Sequence, residues 1–184
     1  LLDTRIGMPL TKIRLNQFPR TSIDKYTTLI LVSGSYNQLG KDEIKKIKKW
    51  VEKGNTLITI ARGSSWAINN ELIDENLVES KEDSTHSRKN YVDASGFIGR
   101  ERIGGVILKA DIDLTHPIAF GYNDNSIPVY KNNNVFINKT KDDYSSVAIY
   151  SEDFHIDGYI SESNRKDYIP GSASLIISKI GSGR

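Results

Sequence analysis

The sequence contains no cysteine, and that absence removes thiolate nucleophiles, zinc–thiolate sites and disulfides together. Histidine is scarce as well. His86, His116 and His155 are the three, and none opens an H-x-x-E pair, so the chain offers no metallopeptidase zinc motif of its own. No apolar run approaches the roughly 18 to 20 residues that a spanning helix needs. With 25 basic and 23 acidic side chains, the net charge is only +2 over 184 residues. A charge so close to neutral points to neither a nucleic-acid partner nor an anionic membrane. The 38% of hydrophobic residues is enough to close the core of one globular domain. Lack of cysteine leaves the compartment open, because a domain of this size is stable without staples.

The first third alternates strand and helix signals. Leu10 to Leu15 alternates apolar and polar residues, and Thr28-Leu29-Ile30-Leu31-Val32 is continuously apolar, as a strand covered on both faces should be. Lys41 to Lys53 places Ile44, Ile47, Trp50 and Val51 on one helical face, with Asp42 and Glu43 in the first turn and Gly54 as the terminating residue. Asn55 to Ala61 predicts the next strand, which turns at Arg62-Gly63-Ser64-Ser65 into a helix through Trp66 and Leu72. From Asp74 to Arg102 charged residues dilute every apolar period, and an exposed excursion is expected. Further strands are expected at Gly105 to Ile112, Ile127 to Lys131, Ser146 to Tyr150, Gly158 to Ser161 and Ser172 to Ile177, with a turn and short helix around His116-Pro117.

Strand–helix–strand–turn–helix order predicts parallel α/β construction. The sharpest local signal is the turn Ile60-Ala61-Arg62-Gly63-Ser64, since a tight strand-to-helix turn displays one side chain above a sheet, as nucleophile elbows do. Its apex is Ala61 or Arg62, and Ser64 lies just past it. A serine nucleophile also needs a base and a group to orient that base, and nothing in the spacing of the histidines supplies them. Gly34 and Ser35 follow a buried strand and have the character of an anion-facing loop, although the nucleotide-binding glycine patterns are missing. Asp111, Asp113 and His116 make a D-x-D-x-x-H cluster with ligands for a divalent ion, yet the same residues favour turns and caps beside Pro117. The lysines of 41–53 are expected on a solvated helix face. Tyr91, Tyr122 and Tyr130 are candidates for a sugar or peptide platform.

Several segments together carry a resemblance: Leu1 to Thr11, Tyr26 to Tyr36, Trp50 to Ile58, Asp113 to Tyr122, and Ile127-Pro128-Val129-Tyr130. In order and spacing they resemble the region downstream of the peptidase domain in bacterial zinc carboxypeptidases of the carboxypeptidase A-like family. The resemblance implies a class I glutamine amidotransferase-like, flavodoxin-like three-layer fold, with a mostly parallel sheet and helices on both faces. It implies one accessory domain over residues 1–184, with 74–102 as the excursion. It places Ala61 where a catalytic cysteine would stand, with Arg62, Gly63 and Ser64 completing a degenerate elbow and Gly34 and Ser35 a vestigial oxyanion loop. No catalytic residue and no metal ligand carries over. Zinc belongs to the upstream peptidase domain of the same polypeptide, which is also the expected partner beside a peptide or glycan ligand, and an extracytoplasmic location follows from the same resemblance.

The chain opens on Leu1 and closes on the turn-like Ile180-Gly181-Ser182-Gly183-Arg184, and a fragment of a longer protein is the expectation. Two alternatives stand beside the accessory-domain reading. One is a serine hydrolase using Ser64 with His116 and Asp111. The other is a carbohydrate-associated module of a glycosidase, for which a crevice lined by an exposed Trp66 and tyrosines would be the sign.

Overall fold

The computed structural model describes residues 2–79, 92, 96, 99–142 and 144–184. These fall into two compact units: one runs up to Leu72 and takes in Lys179–Arg184, and the other comprises the described residues of Ile73–Ser178.

The first unit begins with a short helix, α1 (Leu2–Arg5), and a 3-10 turn over Leu15–Arg20. Leu10 to Leu15 forms no strand: Ile13 packs against the core from an irregular segment and Leu15 from the start of the 3-10 turn, while Leu10 is exposed. Strand β1 (Thr28–Leu31) then pairs in parallel with β2 (Thr56–Thr59) through helix α2 (Lys41–Glu52), and β2 leads into α3 (Arg62–Asn69). Helix α2 starts where the Gly40 N–H donates to the Glu43 carboxylate at 2.9 Å. It ends where the Asn55 amide donates to the Trp50 carbonyl at 2.7 Å and Gly54 takes φ +108°. Its buried face is Ile47, Trp50 and Val51, which closes a core with Phe18, Ile23, Leu31, Tyr36, Trp66 and Leu72. Leu29, Leu31 and Leu57 turn towards that core, whereas Val32, Ile58 and Ile60 remain exposed. Past Gly183 the Arg184 backbone bonds to Asn55 and Leu57, alongside β2.

The second unit is a five-stranded sheet in the order β4-β3-β6-β7-β5, built from β3 (Val106–Ile112), β4 (Ser126–Lys131), β5 (Ile137–Asn138), β6 (Ser146–Gly158) and β7 (Ser172–Ile176). Every pairing in it is antiparallel. This overturns the expected flavodoxin-like, mostly parallel sheet with helices on both faces. The only parallel pairing between named strands is β1 with β2, and the reason lies in the connections. A parallel neighbour needs a crossover of a dozen or more residues, usually helical, but β3 and β4 are joined by a turn whose only helix is the 3-10 stretch Pro117–Ala119. Strand β3 also alternates, with Val106, Leu108, Ala110 and Ile112 buried and Ile107 and Asp111 exposed, as a sheet with one solvated face requires.

Strand β6 runs through the separate segments expected at 146–150 and towards 158, bulging in its register against β3. It stops at Gly158, where φ is +92° and an added Cβ would lie 2.6 Å from the Gly105 carbonyl, so 159–161 leaves the sheet. Residues 164–168 form a π-helical turn that the sequence reading missed. Most of the excursion expected at 74–102 lies outside the described residues. At its described margin, Leu77 bridges to Ile137 and the Val78 N–H donates to the Phe136 carbonyl.

Candidate functional site

The carboxyl ends of β1 and β2 meet in the first unit, the place where parallel strands present ligands or reacting groups. After β2 the chain reverses at Ala61, which takes φ 53° and ψ −112° as the residue before α3. That is a sparsely populated conformation for a residue with a Cβ, and such strain is on the order of 1–3 kcal/mol. The turn is held from both sides. Ile60 N–H donates to the Leu31 carbonyl at 2.9 Å, and the Ser64 and Ser65 N–H groups donate to the Ala61 carbonyl at 2.9 and 3.2 Å. Gly63 is required: a Cβ there would stand 2.7 Å from the Leu31 oxygen and 3.2 Å from that of Val32.

The loop after β1 is tied to the same place. Tyr36 stacks at a tilt on Trp66 of α3, with centroids 5.5 Å apart, and its hydroxyl donates back to the Val32 carbonyl at 2.6 Å. Burial raises the pKa of that hydroxyl. Ser33, Gly34 and Ser35 arch between these anchors, and Gly34 keeps a negative φ with nothing closer to its Cβ position than 3.9 Å.

What this arrangement does chemically is set by its side chains. The apex is a methyl group, and Arg62 beside it points into solvent. The Ser64 hydroxyl is buried and accepts a hydrogen bond from Thr59 Oγ1 at 3.0 Å. Trp66 is buried against Tyr36 rather than exposed.

The other candidate residues lie in the second unit, each engaged locally. Asp111 accepts from Ser151 Oγ at 2.7 Å. Asp113 accepts from the hydroxyl and the N–H of Thr115 at 2.6 and 2.9 Å, and these bonds hold its carboxyl below the usual range. His116 Nδ1 accepts from the Ile118 N–H at 3.2 Å, capping its own 3-10 turn. The His155 ring pairs with the Gly158 carbonyl at 2.7 Å. Asp111, Asp113 and His116 therefore serve three separate partners, Ser151, Thr115 and Ile118, and among the described residues no group of three His, Asp or Glu side chains is placed to hold one metal ion. His86 and Tyr91 lie outside the described residues, while Tyr122 and Tyr130 are exposed.

Of the lysines of α2, Lys46 departs from a solvated face: its ammonium donates to the carbonyls of Phe18, Pro19 and Thr21, at 3.3, 3.2 and 2.6 Å. It pins the 3-10 turn to the helix. Two features of the second unit had no sequence signal beyond an asparagine-rich turn. Lys131, 6% exposed, points its ammonium at Asn133 Oδ1, the Val135 carbonyl and the face of Phe136. Glu101 accepts from the hydroxyls of Ser161 and Ser163, while its backbone carbonyl accepts from the side-chain amides of Asn134 and Asn164.

Compared with known proteins, the chain matches no family model, no curated protein and no solved structure.

Proposed function

We propose that this chain is a non-catalytic accessory domain of a secreted-type zinc carboxypeptidase, in which a separate domain of the same polypeptide holds the zinc and hydrolyses the C-terminal peptide bond. The observation that carries the non-catalytic part is the apex of the elbow. The backbone is bent and strained as if to display a nucleophile, and the residue displayed is Ala61. The Ser64 hydroxyl is turned inward onto Thr59, and the first unit contains no histidine. The carboxypeptidase part rests on the resemblance of the segments from Leu1 to Tyr130. Ser64, His116 and Asp111 each have a local partner, so the serine-hydrolase alternative has no support. The buried Trp66 weakens a sugar platform in the same way.

The test compares the full-length polypeptide with this 184-residue chain. The full-length protein should release C-terminal residues from peptides, and a zinc chelator should stop it. The chain alone should turn over no peptide, ester or glutamine. Turnover by the isolated, metal-free chain that vanished in Ser64→Ala would overturn the reading.

A further inference from the structure

The near-neutral total of the chain hides a division. Fourteen of the 25 basic side chains but six of the 23 acidic ones belong to the first unit, so its side chains sum to +8 while those of the whole chain sum to +2. Much of that charge lies on one helix. Lys45, Lys49 and Lys53 recur at every fourth position of α2 and its cap, a spacing that sets like charges about 6 Å apart along one face and destabilises the helix. Lys53 is relieved by Asp24 at 3.1 Å. Among the described residues, Lys45 and Lys49 have no carboxylate partner.

These lysines border a cleft of about 410 Å³ between α2 and the chain at Ile23 and Asp24. With Lys46 included, four lysines in its lining stand against two aspartates, Asp24 and Asp42, a net charge of +2. Trp50 belongs to the same wall. It is 2% exposed, and its indole N–H is buried without an acceptor. Buried polar groups nearly always have a partner, and an indole N–H can only donate. Two unpaired ammonium groups and an N–H donor together call for an oxyanion.

The lining also indicates which one. It contains no arginine, whose planar fork grips a carboxylate through two bonds, whereas ammonium groups act as point charges that suit a tetrahedral phosphate. The Trp50 ring is buried, so it offers no face on which the base of a nucleotide or a single strand could stack. A volume of about 410 Å³ is that of a small-molecule site.

We propose that this cleft binds a small, multiply charged phosphate compound through the ammonium groups of Lys45 and Lys49. The site lies within the first unit and does not depend on the accessory-domain reading.

The 184-residue chain is titrated with sodium tripolyphosphate and followed by heteronuclear NMR, at about 0.1 M salt, where screening over about 10 Å suppresses diffuse attraction. Binding should saturate with a Kd of about 1 mM or tighter. The amides of Lys45 to Lys53 and the Trp50 indole N–H should shift together, and the Trp66 indole should not. Lys45→Gln with Lys49→Gln should weaken binding about tenfold or more, and should leave the urea midpoint at or above that of the wild type because like charges are removed. Lys12→Gln with Lys48→Gln removes the same charge away from the cleft and should change affinity by less than about twofold. A sugar bisphosphate titrated in parallel tells an organic from an inorganic source, and saturable binding of either supports the site. Shifts that grow without saturating, equal weakening by the two double variants, or citrate binding as tightly as tripolyphosphate would overturn the proposal. So would a DNA duplex that outcompetes tripolyphosphate at equal phosphate concentration.

Discussion

Gly63 in the first turn of α3 sits so close to Leu31 that a methyl group on it would stand 2.7 Å from the Leu31 carbonyl oxygen. That oxygen already accepts the Ile60 N–H and cannot retreat freely. Alanine at 63 should gain helix propensity of about 0.8–1 kcal/mol, but it forces β1 and α3 apart at a cost of about 1–3 kcal/mol. Gly63→Ala is therefore expected to be net destabilising. Gly34→Ala, with nothing nearer than 3.9 Å, should be close to neutral. Both tryptophans, Trp50 and Trp66, lie in the first unit's core, so a urea titration followed by their fluorescence reads this unit directly. Equal midpoints for the two variants would contradict the close approach.

Ala61 offers the opposite experiment. Glycine at a helix N-cap is tolerated, and it adopts φ 53° without the Cβ penalty. Ala61→Gly should therefore raise stability by about 1 kcal/mol, after the extra chain entropy of glycine offsets part of the released strain. A loss of stability on the same fluorescence titration would mean that the positive φ stores no strain.

Ala61→Cys asks what the elbow lacks. A thiol at this apex faces the N-terminus of α3, where the helix field favours a thiolate. It should be alkylated by iodoacetamide at pH 7 several times faster than a cysteine introduced at exposed Ser35. It should still hydrolyse no glutamine, because the first unit contains no histidine and a thiolate alone lacks a general acid. Alkylation no faster than at position 35 would show that the apex has no electrostatic advantage.

How much of this was legible follows from what each residue type signals. Helix α2 announced itself through its apolar spacing and first-turn acids, and its observed span, Lys41–Glu52, stops one residue short of the expected end. A tight reversal at 60–64 was legible from the strand-to-helix order, and there the structure puts Gly63 against the Leu31 carbonyl. The direction of the second sheet was misjudged. A strand's residues do not state their neighbour's direction, although the in–out alternation of β3 favoured an antiparallel partner. The Lys131 site was invisible, since a lysine beside three asparagines signals a wet turn. Burial there follows from the Val135 carbonyl and Phe136 closing over the ammonium. The exposure of Phe120 could not be foreseen either, because sequence assigns phenylalanine to a core.

Asn164, 2% exposed, holds the π-helical turn to the segment before β3. Its amide donates to the Glu101 carbonyl and to Ser161 Oγ, both at 2.8 Å. Asn164→Ala removes these donors, but the Glu101 carbonyl keeps the Asn134 amide and Ser161 Oγ keeps the backbone N–H of residue 164, so neither acceptor is left bare and each lost bond costs about 0.5–1.5 kcal/mol. The expected loss is about 1–3 kcal/mol, within the range of buried-network deletions. Hydrogen exchange should quicken at the Ile103 N–H, which donates to Asn134 in the same network. Unchanged exchange at Ile103 would mean that Asn134 alone secures the segment.

Lys131 makes the stability of the second unit depend on pH in an unusual direction. Burial lowers its pKa to about 8, against an ordinary value near 10.4 in the unfolded chain. Between these values the unfolded chain binds more protons than the folded one, so stability rises with pH across that window. Below about pH 8 the full desolvation penalty is present, on the order of 3 kcal/mol from the shift alone. Tyr150 opposes the trend at the alkaline end, because burial pushes its hydroxyl up to about 12 while the unfolded phenol ionises near 10. The unit should therefore be most stable near pH 10. Lys131→Met should abolish the rise between pH 8 and 10 while leaving the later fall. Urea unfolding followed by near-ultraviolet circular dichroism measures this once the first unit's part, which carries Trp50 and Trp66, is fixed from their fluorescence in the same titration. A wild-type curve already flat from pH 8 to 10 would mean that the ammonium is solvated, and that its bonds to Asn133 and Val135 form in water.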